Sequence, residues 1–333
     1  MTRVALDITP LTLTKAGVAR HIAGLLSGLE SESGIEIRRY SFGGPSRALV
    51  PMRDAGWYLG ALPAKAWHDR VDVLHCPSQR APVHSSVPLV VTIHDLAVLR
   101  HPETFNHWTR AYSRTLLPRV VRAATQVITV SDFTRRELAE LMDVPEGKVR
   151  VIPNAVGPPF EPDGKAAEGD YVLAVGTLEP RKNLDRLVGA FQRAGLNGKR
   201  LLVTGQRGWG NVEAAGKSVQ WLGFVPDDEL ARLYRGARCV AYLSAYEGFG
   251  LPVLEAMACG APVVAARTGA APEVADEAAV LVDPLDDDAI AAGLVEAIDR
   301  ADELRRRGLA RARDFDWKRV AHETAEVYRE VAA

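Results

Sequence analysis

The chain has 333 residues, 47% of them hydrophobic and 25% charged, with a formal net charge of −1. That composition excludes a disordered or fibrous chain, and the near balance of charge excludes a general field that would recruit nucleic acid. No run of about 18 apolar residues occurs, which excludes a membrane-spanning helix.

The length suffices for two domains that each bury a core, and the order of elements predicts two. Short apolar strands alternate with helical segments, the pattern of doubly wound α/β domains with parallel sheets. In the first half, strands are expected at Arg3 to Ile8, Ile35 to Tyr40, Val73 to His75, Leu89 to Ile93, Gln126 to Val130 and Val149 to Ile152. The first follows Met1-Thr2 with no long apolar leader, so a cytoplasmic location is expected. Lys15-Ala16-Gly17-Val18-Ala19-Arg20-His21 then opens a helix, where Gly17 lets the loop backbone approach a phosphate. His21 reads as a packed helix residue. His94-Asp95 ends the strand Leu89 to Ile93, a position from which imidazole can hydrogen-bond a sugar hydroxyl, while Asp95 orients the loop. Phe105, Trp108, Arg110, Tyr112, Arg114, Arg119 and Arg122 fall in a helical segment with one packed and one wet face. Contact with an anionic or lipid-linked acceptor is the alternative reading of that segment.

Pro153 to Phe160 cannot continue helix or strand, which sets the domain boundary: residues 1–158, then 159–315, then a final amphipathic helix in 316–333. Residues 1–165 carry 20 Lys and Arg against 16 Asp and Glu, and residues 166–333 carry 21 against 26, so the halves stand at +4 and −5. A solvated surface accounts for this polarity, with a peripheral membrane contact through the first half as the other expectation.

The second half restarts with strands at Tyr171 to Gly176, Arg200 to Gly205, Val219 to Leu222, Cys239 to Tyr242, Pro262 to Ala266 and Ala279 to Val282. Gly176-Thr177-Leu178-Glu179-Pro180-Arg181-Lys182-Asn183 follows the first of these. There Arg181 and Lys182 can neutralise a diphosphate and the charge that builds on a departing nucleotide, the plainer reading being a surface pair at a helix start. Gly205, in Leu202 to Gly210, and Phe224 and Val225, in Trp221 to Pro226, are candidates for a base pocket, with core packing the rival for Phe224. Glu247-Gly248-Phe249-Gly250-Leu251-Pro252-Val253-Leu254-Glu255 sets two carboxylates eight positions apart across a glycine-rich turn into a helix. The turn's amides suit a diphosphate and each glutamate suits the hydroxyls of a sugar, which together describe a nucleotide sugar. A buried turn with glutamates as caps is the alternative. Asp286-Asp287-Asp288 follows Pro284 and reads as helix capping, not a metal site. Cys76, Cys239 and Cys259 lack paired spacing, so neither disulfide nor metal cluster is expected.

The string Glu247 to Glu255, continued by Ala256-Met257-Ala258-Cys259-Gly260, resembles the signature of the retaining, metal-independent glycosyltransferases of family 4. That resemblance implies the GT-B fold, two Rossmann-like domains facing a central cleft, with the last helix crossing back onto the first domain. It implies a hexosyltransferase in which His94 is in the active site, Arg181 and Lys182 clamp phosphate, Glu247 orients the donor sugar and Glu255 holds the ribose. No cofactor is implied, the nucleotide sugar being a co-substrate. The acceptor would be a hydroxyl of a saccharide, a lipid-linked saccharide or a secondary metabolite. Gly17-Val18-Ala19-Arg20 and Arg207-Gly208-Trp209-Gly210 resemble the mannosyltransferase-like branch and favour GDP-mannose, although Ala16-Gly17 stands where many members have two adjacent glycines. The rivals are a nucleotide-sugar epimerase of the same shape and a non-catalytic nucleotide-sugar-binding protein. A dinucleotide dehydrogenase would need a G-x-G-x-x-G that Leu6 to Gly17 does not supply.

Overall fold

A computed structural model describes residues 1–14, 17–44, 46–206 and 218–333. Lys15-Ala16 and the Arg207-Gly208-Trp209-Gly210 run lie outside the described residues. The chain divides into one unit of Met1–Ala155 with Asp316–Ala333 and a second of Val156–Phe315.

In the first unit, β1 (Thr2–Asp7), β2 (Ile35–Tyr40), β3 (Val73–Cys76), β4 (Leu89–Ile93), β5 (Gln126–Thr129) and β6 (Val149–Val151) form one parallel sheet in the order β2-β1-β3-β4-β5-β6. Val4 of β1 lies between Ile37 and Val73, so the strand order reverses direction at the β1/β3 junction. Every residue of β3 and β4 is buried, as expected where helices cover both faces and both pleat faces are apolar. Leu74, Val91, Leu117 and Val127 lie in its core. The final helix, Trp317–Ala332, packs on the helix Gly17–Leu29. Only small residues permit that approach: a Cβ at Gly24 would stand 2.1 Å from the Trp317 ring, and one at Gly28 2.6 Å from the Trp317 carbonyl oxygen.

In the second unit, β7 (Tyr171–Val175), β8 (Arg200–Thr204), β9 (Val219–Gly223), β10 (Cys239–Tyr242), β11 (Val263–Ala266) and β12 (Val280–Val282) form a parallel sheet in the order β12-β11-β10-β7-β8-β9. Here the reversal falls between β7 and β10. Leu187 and Phe191 of the helix Leu184–Arg193 meet Ile290 and Leu294 of the helix Asp287–Asp299 in the core beneath one face. The latter helix is capped by Asp286, which accepts from the amides of Asp288 and Ala289 at 3.0 and 2.9 Å.

Two features depart from the sequence pattern. Met52–Ala61 is π-helical and runs into the helix Leu62–His68. The aromatic and basic segment is two helices, His107–Thr115 and Leu117–Ala123, because Pro118 sits in the first turn of the second and cannot extend the hydrogen-bond ladder of the first. Among the described residues, no helix is long and apolar enough to cross a membrane.

Candidate active site

In a doubly wound sheet, the loops at the carboxyl ends of the strands diverge where the strand order reverses, leaving a crevice. In the second sheet those loops follow β7 and β10. The first carries Arg181 and Lys182 on a 3-10 turn, Pro180–Lys182, and Asn183 in the left-handed region (φ 58°) turns the chain into the next helix. The second carries Ser244, Tyr246 and Glu247. The two loops are stitched together: Ala245 N–H donates to the Arg181 carbonyl at 2.8 Å. The side chains then converge. Arg181 Nη1 donates to Glu247 Oε1 at 2.7 Å and to the Tyr246 carbonyl at 3.1 Å, while Arg181 Nε reaches Glu179 at 3.0 Å. Lys182 Nζ donates to the same Glu247 oxygen, and Ser244 Oγ donates to it at 2.7 Å. Lys182 Nζ also lies 3.2 Å from Tyr242 Oη, with the tyrosine ring beneath it at 5.1 Å.

Burial alone would raise the Glu247 carboxyl, but the charges of Lys182 and Arg181 prevail and hold it down to about 2. Glu247 is therefore a fixed carboxylate with Oε1 saturated by three donors, none of which uses Oε2. Its backbone is fixed as well. Ala270 N–H donates to the Glu247 carbonyl at 3.0 Å, and a Cβ at Gly269 would stand 2.8 Å from that same oxygen. Gly205 has φ +151°, and its Cβ would meet the Gly176 carbonyl oxygen at 2.0 Å, so only glycine lets the ends of β7 and β8 approach. Gly176 lies beneath the Lys182 stem, 3.3 Å from Cδ to an ideal Cβ, and half-buried Thr177 follows.

Gly250, at φ +99°, forms the amino end of the helix Leu251–Ala258, with Gly248 buried just before it and Leu251 half-buried just after. The Phe249 side chain does not join the site: it is 5% exposed and packs edge-on against Phe315 at 5.8 Å, so only its backbone is open to a ligand role. Glu255 is 2% exposed on the inner face of that helix and accepts from Tyr234 Oη at 3.1 Å. Phe224 is 52% exposed, which removes core packing as its reading and leaves the ring open to stack, with Val225 half-buried beside it.

In the first sheet the reversal lies between β1 and β3, and His94 follows the neighbouring β4. His94 Nε2 lies 3.1 Å from the Pro77 carbonyl. A carbonyl only accepts, so Nε2 carries the proton and Nδ1 presents a lone pair. Burial holds the imidazole below its ordinary range, against the opposing pull of the Pro77 carbonyl and Asp95. His21 stands edge-on to it at 4.8 Å and bonds Asn154 Oδ1 through Nδ1 at 2.7 Å. Gly17 begins the helix that carries His21. Sequence reasoning missed Tyr242, Ser244 and Gly269, which lie between 3 and 60 residues from the groups they serve and match no short motif.

Residues 13–158 match the model of Glycosyltransferase Family 4, and residues 160–314 that of Glycosyl transferases group 1. Over 310 residues the chain is 34% identical to O-antigen chain mannosyltransferase B of Escherichia coli, covering 85% of this chain and 78% of that one. The chain belongs to the family 4 glycosyltransferases. This glycosyltransferase is also 31% identical over 239 residues to the GDP-mannose:cellobiosyl-diphosphopolyprenol alpha-mannosyltransferase of Komagataeibacter xylinus, covering 66% of its own length and 59% of that relative. Its fold is GT-B: sucrose-phosphate synthase of Thermosynechococcus elongatus superposes with a TM-score of 0.80 at 19% identity, covering 99% of each chain.

Proposed function

We propose that this glycosyltransferase moves a hexose from a nucleotide sugar to a hydroxyl of a saccharide, lipid-linked saccharide or secondary metabolite, with retention of anomeric configuration and without a metal ion. GDP-mannose is the donor that its mannosyltransferase relatives suggest. The observation that carries the reading is the meeting of Arg181, Lys182 and Glu247 at the reversal of the second sheet. Two cations that share Glu247 as a partner, with Glu179 on Arg181 Nε as well, are ready for a diphosphate, whose oxygens replace Glu247. The amides from Gly248 to Leu251 add donors at a helix amino end. Glu247, held ionised, accepts from a donor-sugar hydroxyl through Oε2 and is too weakly basic to take a proton. In the first unit, His94 Nδ1 presents a lone pair to a sugar hydroxyl. Glu255 is the ribose partner, sharing its carboxylate with Tyr234.

In the chemical step the bond from the sugar's anomeric carbon to the phosphate oxygen breaks, and the acceptor oxygen bonds that carbon on the face being vacated. The acceptor proton passes to the departing phosphate oxygen, whose charge Arg181 and Lys182 offset. The enzyme would work in the cytoplasm, at the inner membrane face if its acceptor is lipid-linked. The test is an incubation with GDP-mannose and alkyl glycoside or lipid-linked saccharide acceptors, the product's anomeric configuration being read by proton NMR. An α-mannoside is expected. An inverted product, or hydrolysis with no transfer to any acceptor, contradicts the proposal.

A further inference from the structure

His21 is 3% exposed in the helix Gly17–Leu29, beside the buried Ile22 and Leu25, so it is packed as its sequence position suggests. Packing alone asks for a hydrocarbon, because an imidazole brings two nitrogens that need partners out of water. His21 has one such partner. Asn154, also 3% exposed and 133 residues away, accepts from His21 Nδ1 through Oδ1 at 2.7 Å. A carboxamide oxygen only accepts, so the proton is on Nδ1 and Nε2 keeps a lone pair, for which the described residues supply no hydrogen-bond partner.

A buried acceptor left open opposes folding, so a histidine at this position calls for a reason outside stability. Its neighbour supplies one. The His94 ring stands edge-on to His21 at 4.8 Å, with the two planes 81° apart, and Trp317 of the last helix is a second edge-on neighbour at 5.9 Å. His94 is itself pinned through Nε2–H to the Pro77 carbonyl at 3.1 Å. Each imidazole is therefore anchored by one hydrogen bond, His21 through Nδ1 and His94 through Nε2, and the near-perpendicular contact hinders rotation of both.

We infer that His21, with its tautomer set by Asn154, is a positioning residue for His94 and holds that ring with Nδ1 bare for a sugar hydroxyl. The inference rests on the sugar-transfer reading above, with its hydroxyl contact at His94, and adds the residues that prepare that contact. A proton on His21 is opposed by charge on His94 and His75, and burial disfavours the charged form of all three. The other titratable or charged groups around His94 are Asp95, next in the chain, and Tyr58 and Arg80, which line the same cavity, Arg80 being paired with Asp54. An apolar ring at position 21 would also leave His94 neutral, but without the Asn154 anchor it would not hold its own plane against His94.

Two-bond proton–nitrogen correlation spectra of the full chain, labelled with nitrogen-15 histidine, test this, the signals being assigned through His21→Phe and His94→Gln. In the native chain His21 is expected as the Nδ1–H tautomer and His94 as the Nε2–H tautomer, both neutral at about pH 6.5, where free histidine is half charged. Asn154→Leu should mix the His21 tautomers and raise the pH at which His94 takes up its proton, because a looser ring is better hydrated and charges more readily. With GDP-mannose and the alkyl glycoside acceptors, the same variant should lower kcat about tenfold or more, leave the KM for GDP-mannose within about twofold, and move the acid limb of the kcat profile to higher pH. If Asn154→Leu melts at a lower temperature than the native chain, His21→Phe, which keeps a ring and loses the anchor, supplies the same comparison. A native His21 that is charged or in the Nε2–H form overturns the inference, as do variants whose His94 signals and acid limb match those of the native chain, the result that a purely structural pair would give. An inactive native chain would instead strike the sugar-transfer reading, and the spectra, which need no substrate, judge the histidine pair on their own.

Discussion

Glu247 has two roles with opposite consequences for its removal. It compensates Arg181 and Lys182 in the ligand-free site, and it is the group proposed to orient the sugar. Glu247→Gln should therefore lower the transfer rate at least 100-fold while leaving GDP affinity unchanged or higher, since the cations lose a competitor; a parallel loss of both would refute that division of labour. Lys182→Ala removes a charged donor, a contribution of about 1.5–3 kcal/mol for such a hydrogen bond, so GDP should bind about 10- to 100-fold more weakly by calorimetry. Gly269→Ala should depress activity with little change in nucleotide affinity, because its Cβ would press on the Glu247 carbonyl oxygen at 2.8 Å. The Arg-Lys pair and the two glutamates were legible in the sequence as separate strings. The convergence of Arg181 and Lys182 on Glu247 was not, because residues 181 and 247 meet only through the pairing of β7 with β10. Phe249 enters the candidate site through its backbone amide, and its ring fills a space against Phe315 that no local pattern reveals. Phe224 carries two readings in the sequence, base pocket and core packing, and its exposure removes the second.

At the scale of elements, the strands were legible because buried parallel strands read as short apolar runs between turn residues, and β2, β4 and β10 have the bounds that those runs predict. The π-helical Met52–Ala61 was not, since Gly56 and Gly60 lower helix propensity and the buried Arg53 and Asp54 read as surface residues. The seat of the last helix is likewise hidden in two glycines. Gly24→Leu should unseat Trp317 and cost about 1–3 kcal/mol as overpacking, seen as a lower melting temperature with the second unit's proposed nucleotide site unaltered. An unchanged melting temperature would mean that the two helices do not pack as described.

For the whole molecule, acid stability follows from histidines buried in neutral form. His75, with no exposed surface, bonds Tyr328 at 2.6 Å and Thr92 at 2.9 Å, and burial lowers it to about 3; burial also lowers His21 well below its ordinary range. The unfolded chain takes up these protons below about pH 6.5 and the folded one does not, so their contribution to stability is complete above that pH and lost as pH falls toward 3. Urea midpoints should accordingly decline from pH 7 to 5, before most carboxylates titrate; a flat profile would contradict the burial of both rings in neutral form. Alternation of strands and helices announced two parallel α/β sheets, but the order of strands, and with it the two reversals where the sites lie, is a tertiary property that no segment encodes alone. The most direct measurement is calorimetric titration of GDP in EDTA into the native chain, Arg181→Ala and Lys182→Ala. The native chain should bind, with affinity undiminished by the chelator, and each variant should lose at least tenfold; no binding, binding that requires added manganese, or variants that bind as the native chain does would contradict a pyrophosphate held by Arg181 and Lys182.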